Sequence, residues 1–475
     1  MRVVVIGGGA AGVCAAGLLS RPDLLSAVLH EADSQEITAC TERQMPISPK
    51  TKTDALSNTA SIGNDSPMEI LVLEKGDALL RKLRATGNGR CNFTNAHVST
   101  KYYTGKGAEQ TAPVLERFGF RQVVRFFSLL GIPHTTLESG MTYPMTLRAD
   151  TVADRLMEWI ESAGVSVRTG CSVEKLNRQD AYFALTLSTG ERITADVVLL
   201  ATGGSYGIGK KEWSNGYTLA KEAGHRLTRL HPGIVPLAVR ETTRTAALSG
   251  VKVKAQISAQ KQCITDDVLF TAYGLSGTGI LRISNRVLDA LYDVRQTSPS
   301  RDVQQTSPSR KEKEKENKAV PLTVNLLPQR KEEEWLCYLS ALAMRFPNIA
   351  LKTLFRGILP AQIVDQLLVE CRLPEESVAT IENASRLLHR ACHWGFSVIG
   401  AHKNDHGQVT CGGVDTGQWN NRTMESTRCP GLFLVGEVLD IQGECGGYNL
   451  HWAWASALAA AEAIEKTARE KAGCV

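Results

Sequence analysis

Several hallmarks of other protein classes are missing from this chain of 475 residues. None of its 12 cysteines forms a Cys-x-x-Cys pair, and a chain this long can bury a core without disulfide bonds. No apolar run reaches the roughly 18 to 20 residues of a membrane span. The apolar start, Val3–Ile6, is broken by glycines before it reaches the roughly 7 to 15 residues of a signal-peptide core. We therefore expect a cytoplasmic protein with reduced thiols and no membrane contact.

A strong charge bias is also missing. The formal net charge is +5, aromatic residues make up only 6%, and lysines and arginines do not cluster with aromatics. Proteins that bind nucleic acids usually carry a basic patch or stripe on one face. The sequence therefore predicts a small-molecule substrate as the partner and no nucleic acid.

Metal-binding motifs are scarce. The chain has no His-Glu-x-x-His motif, and only His389 and His393, beside Cys392 on a predicted helix, have a spacing that suits zinc. No third ligand is evident from the sequence. We therefore predict no metal site from the sequence alone.

A glycine-rich turn near the N-terminus is the first positive signal. The motif Gly7-x-Gly9-x-x-Gly12 follows a β-branched run that suits a buried strand, and it precedes residues that suit a helix. The first glycine permits the tight turn, the second permits close approach of a pyrophosphate, and the third permits close packing of helix and strand. The free N–H groups at the start of the helix, at Ala10 and Ala11, would face the phosphates. This context predicts a dinucleotide-binding fold.

Such a fold places an acidic residue after its second strand, where it can bind ribose hydroxyls. Glu31 has the usual spacing from the glycine motif, whereas Glu74 lies much further along the chain. Glu74 nevertheless ends the better strand, Ile70–Leu73, so we favour it. Residues 31–67, which are polar and lack periodicity, are then interpreted as an insertion.

Two further loops have ligand-binding character. Residues 86–92 combine glycines, which permit close approach, with Arg90 and asparagines that can hydrogen-bond a heterocycle. Near the C-terminus, an apolar strand ends at Gly436-Glu437, and a glycine-rich loop then leads into a helix at Tyr448. A helix N-terminus at that point can stabilise negative charge on a bound cofactor.

Changes in pattern along the chain predict a domain inserted within another domain. An antiparallel strand is indicated by the strict alternation around Val253, and a repeated Gln-Thr-Ser-Pro-Ser-Arg marks a low-complexity insertion. The predicted parts are the first part of the nucleotide-binding domain (1–229), a β-rich middle domain (230–330, with the low-complexity insertion at 293–318), a helical subdomain (331–395) and the second part of the nucleotide-binding domain (396–475).

These motifs together resemble a known family. They are GGGAAG at 7–12, TGNGRCNFTN at 86–95, ATGGSYG at 201–207, GLSG at 274–277 and PGLFLVGEVLDIQGECGGYNLHWAWASA at 430–457. In this combination the chain resembles, over nearly its whole length, the bacterial NAD(P)/FAD-dependent oxidoreductases of the aminoacetone-oxidase type, a family that includes a gut-bacterial bile acid reductase. One segment departs from the family pattern Thr-His-x-Gly-Leu-Ser-Gly-Pro, because Ala272 and Thr278 replace its histidine and proline.

The resemblance implies an α/β fold, in which a GR2-type Rossmann-like FAD-binding domain is interrupted by a β-barrel-like middle domain with a helical subdomain. It also implies which residues bind FAD. They are Gly7, Gly9, Ala10, Ala11, Gly12, Glu74, Lys75, Lys82, Gly87, Asn88, Gly89, Arg90, Cys91, Asn92, Thr202, Gly203, Gly436, Glu437, Asp440, Gly447 and Asn449.

The activity implied is that of an FAD-dependent oxidoreductase. Its expected reaction is reduction of a carbon–carbon double bond conjugated to a ketone, in a substrate of steroid or bile-acid type. NAD(P)H would act as a transient hydride donor, since the sequence has no second Gly-x-Gly-x-x-Gly motif for a stable nicotinamide domain. Tyr448 is the candidate proton donor. An amine or amino-ketone oxidase that uses oxygen and a non-catalytic flavin-binding redox sensor remain as alternatives.

Overall fold

A computed structural model describes residues 1–29, 68–207, 214–292, 318–402, 407–471 and 473. The predicted insertion at 31–67, which includes Glu31, lies outside the described residues, as does nearly all of the low-complexity insertion at 293–318.

The described residues form strands and helices throughout the chain. The strands are β1 (Arg2–Ile6), β2 (Glu69–Leu73), β3 (Thr94–Asn95), β4 (Tyr103–Thr104), β5 (His134–Thr136), β6 (Met141–Pro144), β7 (Ser166–Arg168), β8 (Val173–Arg178), β9 (Phe183–Leu187), β10 (Arg192–Ala195), β11 (Val197–Leu200), β12 (His231–Gly233), β13 (Leu237–Val239), β14 (Lys252–Ala259), β15 (Gln262–Thr271), β16 (Gly274–Ser276), β17 (Val320–Asn325), β18 (Trp394–Ala401), β19 (Val409–Cys411), β20 (Leu432–Leu434) and β21 (Gln442–Gly443). The α-helices are α1 (Ala10–Ser20), α2 (Pro22–Leu29), α3 (Arg81–Ala85), α4 (Ala112–Arg117), α5 (Phe120–Leu129), α6 (Ala149–Ser162), α7 (Asn215–Glu222), α8 (Thr242–Ala247), α9 (Thr278–Tyr292), α10 (Glu332–Arg345), α11 (Leu351–Arg356), α12 (Ala361–Glu370), α13 (Ile381–Cys392) and α14 (Tyr448–Lys471).

A parallel sheet forms the centre of the first domain, with the strand order β20-β11-β1-β2-β7. Its central strands are continuous apolar runs, and Val3–Val5 and Val198–Leu200 are fully buried. Such runs are typical of parallel strands that are covered on both faces. Because β20 comes from the C-terminal part of the chain, the domain is built from both ends, and the predicted Rossmann-like fold is confirmed.

Two helices with small side chains pack together, and one of them, α1, lies against this sheet. In α1 every residue from Ala11 to Leu19 is buried, and Gly17 lies so close to the Trp159 ring that a Cβ there would be 2.4 Å from it. The long helix α14 packs on α1, and its alanines at 457 and 459–461 are fully buried. Small residues let these helices approach closely, and a Cβ on Gly436 would lie 3.2 Å from the Ala11 side chain of α1 and 4.0 Å from Ala453 of α14.

The middle domain is a closed six-stranded barrel with the order β13-β16-β15-β14-β17-β18. Ala255, Ile257 and Ala259 of β14 point into its core while the intervening residues are more exposed, as the sequence alternation predicted. The barrel is closed by β18, which runs to Ala401 and so extends past the boundary predicted at 396. The helices α10–α13 pack with the barrel strands in one common hydrophobic core.

Within the described residues, no single helix combines the length and apolar character needed to cross a membrane. The helices α1 and α2 meet that criterion only as a pair, and the pair is bent by 104°.

Candidate functional site

The glycine turn between β1 and α1 has the geometry that the motif predicts. Gly7 has φ +108°, and a Cβ there would lie 2.5 Å from the Ala201 carbonyl oxygen. A Cβ on Gly12 would lie 2.0 Å from the Gly7 carbonyl oxygen, so only glycine fits at either position. A Cβ on Gly9, by contrast, would have no atom within 4 Å. The first and third glycines therefore set the turn, and the second faces open space that a ligand can enter.

The first turn of α1 carries no acidic side chain of its own. Gly9 occupies the N-cap position and offers no side chain to the first N–H groups, and the first turn, which contains Ala10 and Ala11, has no acidic residue. The exposed N–H groups and the helix dipole therefore favour an anion at this point.

Glu74 lies beside this turn. Its Oε2 accepts a hydrogen bond from the Gly8 N–H at 2.7 Å, and its Oε1 accepts one from the Gly76 N–H, also at 2.7 Å. The carboxylate is thus held at the carboxyl end of β2, next to the glycine turn, where a ribose would lie. Its contact with a ribose stays a prediction.

A cleft opens at the carboxyl ends of β1, β2 and β11. Open α/β sheets bind their ligands at this edge. It is lined by Ile6, Gly7, Leu73, Glu74, Lys75, Cys171, Ser172, Val173, Thr202, Ser214 and Asn215. Lys75 and Thr202 were expected here from the sequence, whereas Asn215 was not. The Asn215 amide donates to Ser172 Oγ at 2.8 Å and to the Val173 carbonyl at 2.7 Å, contacts that no local motif reveals.

Three distant segments meet around Glu437. Its Oε2 pairs with Lys82 Nζ at 2.6 Å, and its Oε1 accepts a hydrogen bond from the Thr410 N–H at 2.7 Å. A Cβ on Gly204 would lie 2.8 Å from Oε1, so the ATGG turn that includes Gly203 packs directly against this carboxylate. The structure therefore brings Lys82, Gly203 and Glu437 together, as the sequence predicted for a common site.

Four residues of the loop at 86–92 have left-handed backbone conformations, which residues other than glycine rarely adopt. Gly87, Asn88, Gly89 and Cys91 all have left-handed φ angles, between +55° and +78°. Backbone N–H groups that alternate between right- and left-handed conformations can converge to form an anion-binding concavity. Residues Gly87–Arg90 are exposed, and a Cβ on Gly89 would meet nothing within 4 Å, so the loop can receive a ligand.

Cys91 and Asn92 form the buried end of this loop. Burial raises the pKa of the Cys91 thiol to about 12, which keeps it protonated and makes it a packing group rather than a nucleophile. Asn92 Oδ1 accepts a hydrogen bond from the Thr142 N–H at 3.0 Å, which anchors the loop to β6.

The C-terminal glycine loop lies directly against the loop at 86–92. A Cβ on Gly447 would be 2.5 Å from the Thr94 carbonyl oxygen and 2.9 Å from Asn92 Oδ1. Asn95 Nδ2 donates to the Gly446 carbonyl at 2.9 Å. The helix α14 begins at the next residue, has no acidic residue in its first turn, and so directs its positive end toward both loops.

The side chains of Asn449 and Asp440, two predicted cofactor ligands, contact other parts of the protein. The Asn449 amide accepts from the Gly443 N–H at 2.9 Å and donates to the Gly443 carbonyl at 2.7 Å, which closes the C-terminal loop. Asp440 is 1% exposed and lies so close to Gly105 that a Cβ there would be 2.5 Å from Oδ1. Burial raises the pKa of Asp440 to about 6, while polar contacts with Thr228 and Gln442 oppose that rise. A direct contact of either side chain with the cofactor stays a prediction.

Tyr448 lies at the junction of the loops. Its ring stacks on Tyr102 at 4.5 Å between centroids, and its carbonyl accepts a hydrogen bond from Tyr103 Oη at 3.0 Å. Burial, together with the neighbouring Tyr102, raises the pKa of the Tyr448 phenol well above its ordinary value. The phenol is therefore protonated near neutral pH and retains a proton that it can donate.

The barrel domain contributes residues to the site that the sequence did not predict. Gln262 Nε2 donates to Glu444 Oε1 at 3.3 Å, and Arg286 lies 3.7 Å from the same carboxylate. Burial raises the pKa of Glu444 above its ordinary value, although these two partners oppose the rise. The barrel thus contacts the C-terminal glycine loop and forms one wall of the site.

This geometry fits FAD. The open space at Gly9 would receive the phosphates and the carboxylate of Glu74 would bind a ribose, while the loop at 86–92 and the N-terminus of α14 would face the flavin. The fold and the site therefore define an FAD-binding flavoprotein whose nucleotide domain is interrupted by a barrel. The chain belongs to the family described as HI0933-like protein Rossmann domain, which matches residues 58–463.

Curated relatives cover nearly the same length. The 3-dehydro-bile acid delta(4,6)-reductase of Clostridium scindens is 30% identical over 412 residues, which are 85% of this chain and 94% of the relative. The ribosomal RNA dihydrouridine synthase of Escherichia coli is 27% identical over 408 residues, with 85% and 94% coverage. Among solved structures, 3-ketosteroid delta1-dehydrogenase from Sterolibacterium denitrificans aligns over 98% of this chain and 99% of its own, with 11% identity and a TM-score of 0.46. The predicted family and the predicted class of FAD-dependent oxidoreductase are confirmed.

Proposed function

We propose that this flavoenzyme reduces a carbon–carbon double bond conjugated to a carbonyl group, with NAD(P)H as the hydride donor. The names of its relatives support one common reaction type. A delta(4,6)-reductase of a 3-dehydro bile acid saturates double bonds conjugated to a ketone. Formation of dihydrouridine saturates the uracil bond that is conjugated to a ring carbonyl. The reaction type is thus shared even though the substrates differ greatly.

The observation that carries the proposal is the meeting of the two glycine loops at the N-terminus of α14. FAD, when bound, supplies hydride transfer in both directions. The positive end of α14 stabilises the negative charge that the reduced cofactor carries. Lys82 and Glu437, paired at 2.6 Å, orient the cofactor without adding net charge.

Reduction of a conjugated double bond also requires a proton at the second carbon. Tyr448 is the proposed donor, because its phenol stays protonated and its backbone begins the helix that faces the loops. The Tyr102 ring, stacked on it, restricts the orientation of the phenol.

The first substrate candidate is an enone of steroid or bile-acid type, supported by the Clostridium scindens relative. The second candidate is a uracil base in RNA, which the relatives from Escherichia coli and Haemophilus influenzae support. The two candidates differ in what surrounds the reacting ring, an apolar skeleton in one and a phosphate backbone in the other.

An anaerobic experiment tests the proposal. Purified protein with bound FAD is mixed with NADH or NADPH while the flavin absorbance is followed. The reduced protein is then mixed with a 3-oxo-4-ene steroid, with a uridine-containing RNA oligonucleotide, or with oxygen.

Each outcome has a defined meaning. Bleaching by a nicotinamide nucleotide followed by rapid reoxidation with the steroid supports the first candidate, and reoxidation with the RNA supports the second. Reoxidation by oxygen alone contradicts the reductase proposal and favours an amine or amino-ketone oxidase. Failure of both nucleotides to bleach the flavin refutes NAD(P)H as the donor, and a flavin that exchanges electrons with none of the substrates favours a redox sensor.

A further inference from the structure

Two histidines and a glutamate meet on the surface of the helical subdomain. His389 Nδ1 lies 3.0 Å from Glu332 Oε1, and His393 Nε2 lies 3.0 Å from Glu332 Oε2. The histidine rings are 4.6 Å apart between centroids. The sequence shows the histidine pair, but it does not reveal Glu332, which lies in the first turn of α10.

The local backbone explains this convergence. His389 lies in the last turn of α13, and His393 is the residue at which that helix ends, with the non-helical angles φ −128° and ψ 49°. This change of direction lets the His393 ring turn toward α10 instead of following the helix surface. Glu332 begins α10, so both helix ends deliver their side chains to one point.

We propose that Glu332, His389 and His393 bind a divalent transition metal ion, with Zn²⁺ as the reference ion and a fourth position open to water. Two imidazoles and one carboxylate form a recurrent zinc ligand set. One donor atom from each residue lies within 4.8 Å of the others. Zinc bonds of about 2.0–2.2 Å place tetrahedral ligand atoms roughly 3.3 Å apart, so small rotamer shifts are enough to close the site.

The three side chains are accessible to a metal ion from solvent. The side chains of His389 and His393 are 68% and 56% exposed, so an ion can enter directly from solvent. Nearby Arg390 pairs with Glu370 instead. Among the ion pairs of the described residues, those of Glu332 are only with the two imidazoles, so no lysine or arginine has to be displaced.

A metal ion here would join the start of α10 to the end of α13. These helices already pack on one another, and both contribute to the core that contains the barrel. An ion that binds only the folded state therefore stabilises the helical subdomain. The site lies outside the cofactor loops, so its test does not depend on the proposed function.

The experiment titrates Zn²⁺ into the full-length, FAD-bound protein after chelator treatment and desalting, and follows binding by calorimetry. The variants are Glu332→Gln and the double variant His389→Ala/His393→Ala, with Glu333→Gln as the control, because Glu333 is the exposed neighbouring carboxylate in the same turn. We expect the double variant to bind one Zn²⁺ ion fewer than the parent. We expect Glu332→Gln to weaken that ion at least tenfold (about 1.4 kcal/mol), and Glu333→Gln to leave it unchanged.

Two further measurements test whether the bound ion is held by these three side chains. Zn²⁺ should raise the thermal unfolding temperature of the parent but not that of the double variant. The Co²⁺ absorption that the double variant loses should consist of bands of nitrogen and oxygen ligation, without the charge-transfer band that a thiolate produces. Equal Zn²⁺ stoichiometry and affinity in parent and double variant would overturn the proposal, as would a parent that binds no ion.

Discussion

The substitution Gly9→Ala separates the ligand-binding role of the N-terminal turn from its structural role. Gly9 has φ −80° and ψ −172°, angles that alanine adopts without strain, and a Cβ there would meet no atom within 4 Å. We therefore expect the free energy of unfolding of the FAD-free chain to change by less than about 0.5 kcal/mol. The same methyl group would occupy the space through which the cofactor pyrophosphate approaches α1.

The expected loss of affinity follows from the hydrogen bonds at the start of α1. Moving the phosphates away from the N–H groups of Ala10 and Ala11 would weaken at least one hydrogen bond to a charged group, each worth about 1.5–3 kcal/mol. This corresponds to a roughly 10- to 150-fold rise in the FAD dissociation constant. The assay is titration of the FAD-free protein by flavin fluorescence, paired with urea unfolding of the same preparation.

Gly12→Ala is the contrasting control. Its Cβ would lie 2.0 Å from the Gly7 carbonyl oxygen, so helix and strand must separate, which costs about 1–3 kcal/mol of folding stability. We expect this variant to lose stability and FAD affinity together. If Gly9→Ala folds like the parent and also binds FAD with the parent's affinity, the pyrophosphate does not lie over Gly9 and the reasoning fails.

Three further predictions concern buried groups near the site. Because burial raises the pKa of Asp440 from 3.8 to about 6, its charge should lower the unfolding free energy by roughly 3 kcal/mol once the pH exceeds 6. Asp440→Asn should therefore gain stability relative to the parent in urea unfolding as the pH rises from 4 to 7, and a constant difference over that range would contradict this. Burial lowers the pKa of His451 from 6.5 to about 4, so its contribution of roughly 3 kcal/mol is complete above pH 6.5 and is lost as the pH falls through 4. His451→Gln should show a shallower loss of stability between these pH values, whereas a parallel loss would show that His451 is not responsible. Tyr448→Phe should leave flavin reduction by NAD(P)H intact but slow reoxidation by the substrate at least about 100-fold in stopped-flow absorbance; equally fast reoxidation would exclude Tyr448 as the proton donor.

The parallel sheet and its glycine turn could be predicted because their signals are local. Strands buried on both faces are apolar along their buried length, and β1 from Val3 onward and β2 from Ile70 onward are. The same criterion favoured Glu74 over Glu31, and the structure places Glu74 beside the glycine turn. The distance in sequence points to Glu31 instead, but an insertion can lengthen a loop without moving the strand that follows it.

Contacts between distant segments could not be predicted in this way. Glu332 and His389 come from different helices, and neither residue carries a pattern that refers to the other. Gln262 looks like an ordinary polar residue at the start of β15 until the fold places it on Glu444. A single sequence reports the periodicity of each element and the chemistry of each motif. The distances between elements depend on packing, for which this sequence has no local signal.

One departure from the family pattern, at Thr278, lies beside the barrel strands that border the site. Thr278 is one of the two departures from the family pattern noted in the sequence, and its hydroxyl donates to Asp266 Oδ1 at 2.6 Å. Asp266 in turn holds Arg282 at 3.0 Å. Burial raises the pKa of both Glu444 and Tyr448, and the positive charge of Arg282 opposes that rise in each. Proline has no hydroxyl and could not orient Asp266 in this way. The glycine loops can therefore keep their cofactor geometry while the barrel adjusts the charge around the proposed proton donor, so we expect differences in substrate choice within the family to lie in this barrel segment.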